Sequence, residues 1–253
     1  MNEKKNLTIE ETFSLAVQNH NKNNLQVAEN LYKKILKTNP NHFKSIYYLG
    51  ALLAQTKRFD LAKPLLHKAI QIQPNYVLTH NNLGNVLKEL GEHQKAISSY
   101  EKAIQINPNY AFAHNNLGLV FNQLGEFQKA ISSFEKAIQI NPNYANAHYN
   151  LGNVLKKLGE QQKAISSYEK AIQIQPYYAK AYNNLGKVFG ELNEFNKSAN
   201  YYEKALKLDP NRKETCGGYG NLLLKFNQHS KALSYIKKST GFISFTQKDF
   251  KII

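Results

Sequence analysis

The chain has 253 residues, 42% of them hydrophobic and 20% charged, a composition ordinary for a folded soluble protein, with a formal net charge of +15. Its one cysteine, Cys216, excludes an internal disulfide and fits a reducing compartment. The polar start at residues 1–11 lacks the apolar run of a signal peptide and no stretch approaches membrane-spanning length, so the sequence predicts a cytoplasmic protein without membrane contact.

A strict repeat organises nearly the whole chain. Prolines recur at 34-residue intervals, at Pro40, Pro74, Pro108, Pro142, Pro176 and Pro210. A fixed period of this length is typical of a stacked array. We predict an N-terminal tail at 1–8, an array at 9–246, and at 247–253 a C-terminal tail or the start of a missing domain. The rows of the array are 9–42, 43–76, 77–110, 111–144, 145–178, 179–212 and a degenerate, proline-less 213–246.

Each row predicts two amphipathic helices. In row 77–110, apolar residues recur at helical spacing twice, first from Leu83 to Leu90 and again from Ala96 to Ile104. Between them, Gly91 is suited to end the first helix in the left-handed conformation. The equivalents in other rows are Gly125, Gly159, Asn23, Asn193, Asn227 and, as an exception, Lys57. At the end of the row, Pro108 disfavours helix for the residue before it, and Asn109 is the predicted N-cap of the next helix.

Small and aromatic residues fall in register from row to row. A leucine–glycine pair in the first helix is followed by an alanine, an aromatic residue and a second alanine in the second helix. In row 77–110 these are Leu83, Gly84, Ala96, Tyr100 and Ala103. The pattern, closed by proline, resembles the tetratricopeptide repeat over nearly the whole chain. The resemblance implies an all-α fold, an α-solenoid (right-handed superhelix) of about seven 34-residue helix-turn-helix repeats.

Asparagines form a column in the first helices. Asn82, Asn116, Asn150 and Asn184 each lie two residues before the glycine, and we call this set the asparagine ladder. In the family, first helices line the concave surface, so the resemblance implies that the ladder lies in a groove. A primary amide both donates and accepts, and can therefore match the backbone of an extended peptide. The predicted peptide-binding residues are Asn81, Asn82, Asn85, Asn115, Asn116, Tyr149, Asn150, Asn153, Asn183, Asn184 and Lys187.

Several functions remain open for such a groove. The ladder is similar to that of the O-linked N-acetylglucosamine transferases, whose repeats hold extended polypeptides, but asparagine is also common in this column across the family. We favour a non-enzymatic scaffold that binds a protein or peptide. The alternative is the substrate-recognition arm of a truncated or split enzyme, such as a glycosyltransferase with these repeats. Lys187, Lys180 and Tyr149 vary the later rows and favour acidic or aromatic ligands, whereas the family's carboxylate clamp lacks its lysines here.

The sequence contains no catalytic or cofactor-binding constellation. His80, His114 and His148 form a column, but stacked rows hold equivalent positions on the order of 10 Å apart, too far for a shared zinc ion. We expect these histidines, and Cys216 in the same column, to pack between helices. No metal or cofactor is expected.

The basic excess is not continuous along the chain. Residues 77–178 carry nine lysines against seven glutamates, so the surplus is divided between the two ends. A nucleic-acid groove would more naturally carry a continuous basic stripe with aromatic or arginine side chains. Nucleic-acid binding through the basic ends is therefore a minor alternative.

Overall fold

The computed structural model describes residues 7–241, 244–245 and 250–251, and side chains within 7–241. Helices dominate these residues. They are α1 (Ile9–Asn21), α2 (Leu25–Thr38), α3 (Phe43–Gln55), α4 (Phe59–Ile72), α5 (Val77–Glu89), α6 (His93–Ile106), α7 (Ala111–Gln123), α8 (Phe127–Ile140), α9 (Ala145–Lys157), α10 (Gln161–Ile174), α11 (Ala179–Glu191), α12 (Phe195–Leu208), α13 (Lys213–Lys225) and α14 (His229–Thr240). Odd-numbered helices are the first helices of the rows and even-numbered ones the second helices. The predicted all-α solenoid of helical repeats is confirmed.

The helices belong to two compact units, Met1–Glu126 and Phe127–Ile253. In unit 1, each helix from α1 to α7 packs against the next, and the first helices α3, α5 and α7 also contact one another in sequence. In unit 2, α8 to α14 pack in the same consecutive order, and α11 contacts α13. This arrangement places the first helices side by side within each unit, as the function prediction requires.

The turns within the rows follow the sequence prediction. Gly91, Gly125 and Gly159 have φ of 75–77°, and Asn23, Asn193 and Asn227 have φ of 57–61°. Lys57 adopts the same left-handed conformation at φ 59°. The turn closes the helix end through backbone hydrogen bonds, as where Glu92 donates to the carbonyl of Leu87 at 2.8 Å.

A glycine–tyrosine contact joins the two helices of a row. A Cβ on Gly84 would lie 2.5 Å from Tyr100 Cε1, and one on Gly152 would lie 2.7 Å from the same atom of Tyr168. Both tyrosines are fully buried, as is the neighbouring Ala96. The small column therefore exists because an aromatic ring from the second helix lies directly on the first-helix backbone.

The junction between rows differs from the prediction at its cap. Asn109 is not the N-cap of α7; Tyr110 occupies that position, without a side-chain cap hydrogen bond. Asn107 instead makes the local bond, because its Oδ1 accepts from the backbone N–H of Asn109 at 3.0 Å. This side-chain turn holds the residues around Pro108 and delays the helix by one residue.

The histidine column contacts the preceding row junction. Nε2 of His80, His114 and His148 lies 2.7, 3.0 and 3.0 Å from the carbonyl oxygen of Pro74, Pro108 and Pro142 respectively. Since a carbonyl only accepts, each Nε2 carries the proton. Cys216 is fully buried and points its Sγ to the Pro210 carbonyl at 3.6 Å. These side chains fasten each first helix to the loop before it.

Beyond α14 the chain forms two short paired strands. The predicted final second helix is present as His229–Thr240, and Gly241 follows in the left-handed conformation at φ 83°. Strand β1 (Ser244–Phe245) pairs antiparallel with β2 (Phe250–Lys251), with Ser244 opposite Lys251. The side chains of this tail, and its predicted role as a cover or a domain start, lie outside the described residues.

Candidate functional site

The asparagine ladder lies on the first helices, and the amides of Asn82, Asn116 and Asn184 are linked to the preceding row. Asn82 Nδ2 on α5 donates to the Tyr47 hydroxyl on α3 at 3.2 Å. Asn116 Nδ2 on α7 donates to Asn81 Oδ1 on α5 at 3.1 Å. Both ladder asparagines are half-exposed. The neighbouring bonds fix their amide planes, so that their remaining donors and acceptors have a defined orientation.

Unit 2 repeats this linkage at Asn184, whose amide has two additional partners, Asn153 and Tyr168. Asn184 Nδ2 on α11 lies 3.4 Å from the Tyr149 hydroxyl and 2.8 Å from Asn153 Oδ1, both on α9. The Tyr149 ring packs on Tyr178, with ring centroids 5.0 Å apart. Asn150 is half-exposed on the same helix. Tyr47 in unit 1 has a similar contact, with its ring centroid 5.1 Å from that of Tyr76, so both units place a tyrosine pair beside the ladder.

Asn85 and Asn153 serve the contact between the helices of a row. The Tyr100 hydroxyl on α6 donates to Asn85 Oδ1 at 2.8 Å, and the Tyr168 hydroxyl on α10 donates to Asn153 Oδ1 at 3.0 Å. Burial raises the pKa of both hydroxyls, so each remains a protonated donor. These two asparagines keep only part of their hydrogen-bonding capacity for a ligand.

Three predicted site residues lie inside the protein. Asn81, Asn115 and Asn183 are 6%, 4% and 2% exposed. Asn115 and Asn183 each donate to the adjacent ladder asparagine, at 3.3 Å and 3.0 Å. Their prediction as groove residues is corrected, because a buried amide cannot contact a peptide. They orient the ladder instead.

A cavity of about 560 Å³ opens beside the ladder in unit 1. Residues of α3, α5 and the start of α4 surround it. They are Ala51, Ala54, Gln55, Lys57, Phe59, Asn82, Asn85, Val86, Lys88 and Glu89. Its walls combine apolar surface with amides and both signs of charge, which suits a peptide of mixed composition.

In unit 2 a cavity of about 330 Å³ lies between α11 and α13, and we call it the Lys187 pocket. Its walls are Lys187, Gly190, Glu191, Ser198, Tyr202, Gly218, Asn221, Leu222 and Lys225. Burial lowers the pKa of Lys187, and the nearby Lys156 lowers it further. The sequence identified Lys187 but not the cavity around it.

Tyr47 is not among the predicted site residues, although the sequence carries a signal for it. Tyr47, Asn81, Asn115, Tyr149 and Asn183 occupy one column of the repeat. In three rows this column accepts the amide of the next row's ladder asparagine. If each ladder asparagine is treated as a donor and the column of the row before it as the acceptor, the sequence points to Tyr47.

The described residues contain no group of three or more potential metal ligands. Over the same part of the chain, no helix combines the length and apolarity needed to span a bilayer.

Family models for the tetratricopeptide repeat match successive parts of the chain. The matched ranges are 21–77, 65–98, 84–125, 119–159, 152–193 and 179–212. These models describe helical repeats. The likeness to O-linked N-acetylglucosamine transferases in particular stays a prediction. No curated protein matches the chain.

Solved structures share the architecture. The MamA protein is 28% identical, with a TM-score of 0.58 over 68% of this chain and 94% of that chain. PilF of Pseudomonas aeruginosa is 20% identical, with a TM-score of 0.73 over 86% of this chain and 97% of its own. YrrB, described as a TPR protein with an unusual peptide-binding site, is 20% identical, with a TM-score of 0.56 over 73% and 95%. At 20% identity, PilF and YrrB inform the fold alone.

Proposed function

Because the chain belongs to the tetratricopeptide repeat family, we propose that it is a protein-interaction scaffold that binds an extended peptide segment along its first helices. The observation that carries the proposal is the half-exposed ladder, in which the preceding row holds the amides of Asn82, Asn116 and Asn184. Ordering the amides before binding reduces the entropy lost when a peptide is bound.

Asn82 and Asn116 keep unpaired donor and acceptor groups that suit a peptide backbone. Within the described part of the chain, Asn82 uses one amide N–H, towards Tyr47, and its Oδ1 has no partner. Asn116 uses one N–H towards Asn81 and accepts one bond from Asn115. Each therefore retains both donor and acceptor capacity. Since backbone groups are common to all sequences, this mode gives affinity with limited sequence preference.

YrrB, which shares the fold, is described as having a peptide-binding site. This likeness is compatible with the proposal, whereas the case for this chain rests on its own ladder and cavities. The sequence that the groove prefers is to be identified by selecting peptides from a displayed library.

The test uses peptides selected from a random displayed library against the full chain, with affinity measured by fluorescence anisotropy. We expect the double variant Asn82→Ala/Asn116→Ala to weaken binding by about tenfold or more, since two hydrogen bonds of roughly 1 kcal/mol each are lost. The matched control, Asn75→Ala/Asn109→Ala, changes two exposed loop asparagines of the same unit.

A second arm tests backbone recognition directly. Methylating the peptide nitrogens opposite the ladder removes N–H donors without changing side chains, and should reduce affinity as the ladder variant does. Equal affinity of the ladder variant, the control variant and the native chain, at unchanged helix content, contradicts the proposal.

A further inference from the structure

Row 179–212 keeps the tyrosine of the tyrosine–asparagine pair but has a lysine in place of the asparagine. The pairs elsewhere are Tyr100 with Asn85 (2.8 Å) and Tyr168 with Asn153 (3.0 Å). Row 179–212 has Tyr202 and Lys187 at the equivalent positions. A lysine ammonium has no acceptor. Lys187 therefore cannot accept from the Tyr202 hydroxyl, and within the described residues no other group pairs with that hydroxyl, although the side chain is only 5% exposed.

The ladder is interrupted at the same place. Asn184 of row 179–212 reaches back to the preceding row, where its amide contacts Asn153 Oδ1 at 2.8 Å and the Tyr168 hydroxyl at 3.5 Å. One row later the equivalent of Asn184 is Gly218, which has no side chain. The Tyr202 ring lies close to it, since a Cβ on Gly218 would be 2.7 Å from the Tyr202 hydroxyl oxygen. These two departures from the repeat open the Lys187 pocket.

Lys187 has no ion pair of its own, although Glu214 and Glu191 attract it at longer range. Glu191 in the wall is bound by Lys156 at 2.8 Å, and Glu214 nearby is bound by Arg212 at 3.4 Å. Lys187 is half-buried, and no acidic side chain of the described chain pairs with it. Burying a cation without a partner costs free energy, which a bound anion would recover.

Further hydrogen-bond donors line the Lys187 pocket. Burial raises the pKa of the Tyr202 hydroxyl, so it remains protonated and able to donate. Asn221 adds an amide to the wall, and Lys225 adds a second cation at an exposed position, with its Nζ 5.1 Å from the Phe195 ring centroid. The pocket thus presents several donors and one carboxylate that already has a partner. Glu191 makes a doubly charged phosphate a poorer occupant than a singly charged carboxylate.

We propose that the Lys187 pocket binds the side-chain carboxylate of a glutamate or aspartate. The proposal rests on the proposed function for the way the carboxylate arrives, on a segment bound along the first helices. Lys187 supplies the charge, and the Tyr202 hydroxyl supplies a directional hydrogen bond. An acidic residue at one position would then give specificity to a groove that otherwise recognises backbone.

In the test, the full chain is titrated with N-acetyl-glutamate amide. Binding is measured from the shifts of the amide NMR resonances of Gly218 and Asn221. We expect saturable shifts with a Kd on the order of 10 mM, as suits a single small contact. N-acetyl-glutamine amide should produce no saturable shift. Lys187→Asn should abolish binding, because asparagine supplies the acceptor that Tyr202 lacks, as it does in two other rows. Tyr202→Phe, a residue that row 111–144 already carries as Phe134, should weaken binding several-fold.

Lys170→Asn is the matched control, since it removes the same charge from an exposed position on α10. Equal shifts with the glutamine probe, no saturable shift with the glutamate probe, or unchanged binding in Lys187→Asn would overturn the proposal. Equal binding of N-acetyl-alanine, which carries only a main-chain carboxylate, would overturn the assignment to a side chain. The probe is too small to engage the ladder, so this outcome is separate from that of the peptide experiment.

Discussion

The glycine of the first helix determines how closely the two helices of a row approach. Gly84 faces the flat ring of Tyr100, whereas Gly50, in the same column, faces Leu66 with its closest atom 3.1 Å from a built Cβ. A branched aliphatic chain can move by a few tenths of an ångström, but a fully buried ring cannot do so without displacing its neighbours.

Gly84→Ala should therefore destabilise the protein, because overpacking costs about 1–3 kcal/mol and exceeds the gain of roughly 1 kcal/mol in helix propensity. Gly50→Ala is the matched control and should be neutral or stabilising. Thermal unfolding followed by circular dichroism measures both. A Gly84→Ala variant as stable as Gly50→Ala would show that the Tyr100 ring adapts freely.

At the residue scale, the sequence predicted backbone geometry better than side-chain hydrogen bonds. The six glycines and asparagines of the turn column adopt the predicted left-handed conformation, and Lys57, the exception in sequence, adopts it too. The burial of Asn115 did not follow from the sequence, since a column shows which residues are equivalent but not which way each amide turns. The sequence also did not predict the Lys187 pocket, because the cavity exists only where Gly218 has no side chain to fill the space.

At the scale of the element, the first helices α5, α7, α9 and α13 are fastened to the loop before them by a histidine or by Cys216. Burial lowers the pKa of His148 below its ordinary value, and the bond to the Pro142 carbonyl only partly opposes this effect. The folded protein therefore holds His148 neutral more strongly than the unfolded chain does. As pH falls below the unfolded pKa of about 6.5, protons bind preferentially to the unfolded chain, and stability decreases.

His148→Ile removes this titration and introduces the residue type that the same column already carries at the buried Ile46. The variant should lose less stability than the native chain between roughly pH 7.5 and pH 5, measured as the change in Tm. The comparison cancels other groups that titrate in this range. If both proteins show the same pH dependence, His148 is not the group responsible.

The existence and type of the helices were predictable because apolar spacing and proline agree in every complete row. The start of α7 was predicted one residue early, since Asn109 has the right chemistry for a cap but Asn107 forms the side-chain turn first. Which of two nearby asparagines makes the local hydrogen bond depends on backbone geometry, and the residue types alone do not specify that geometry.

At the scale of the whole molecule, stability should follow position in the stack. In repeat proteins, an interior repeat is supported on two sides and a terminal one on one side. We expect amide hydrogen exchange to be slower in α5 and α6 than in α1 and α2, and slower in α9 and α10 than in α13 and α14. Hydrogen-exchange mass spectrometry of the full chain tests this order within each unit. Slower exchange in α1 or α14 than in the interior helices would contradict it.

The second helices α6 and α10 differ only at their first residue, His93 against Gln161. Any first helix therefore meets two nearly equivalent partners during folding. Pairing α5 with α10 instead of α6 closes a loop about twentyfold longer, which costs only roughly 2–3 kcal/mol more. Proximity along the chain, and not a distinct set of side chains, selects the native partner. Synthesis from the N-terminus strengthens that selection, because α6 is available to α5 before α10 has been made.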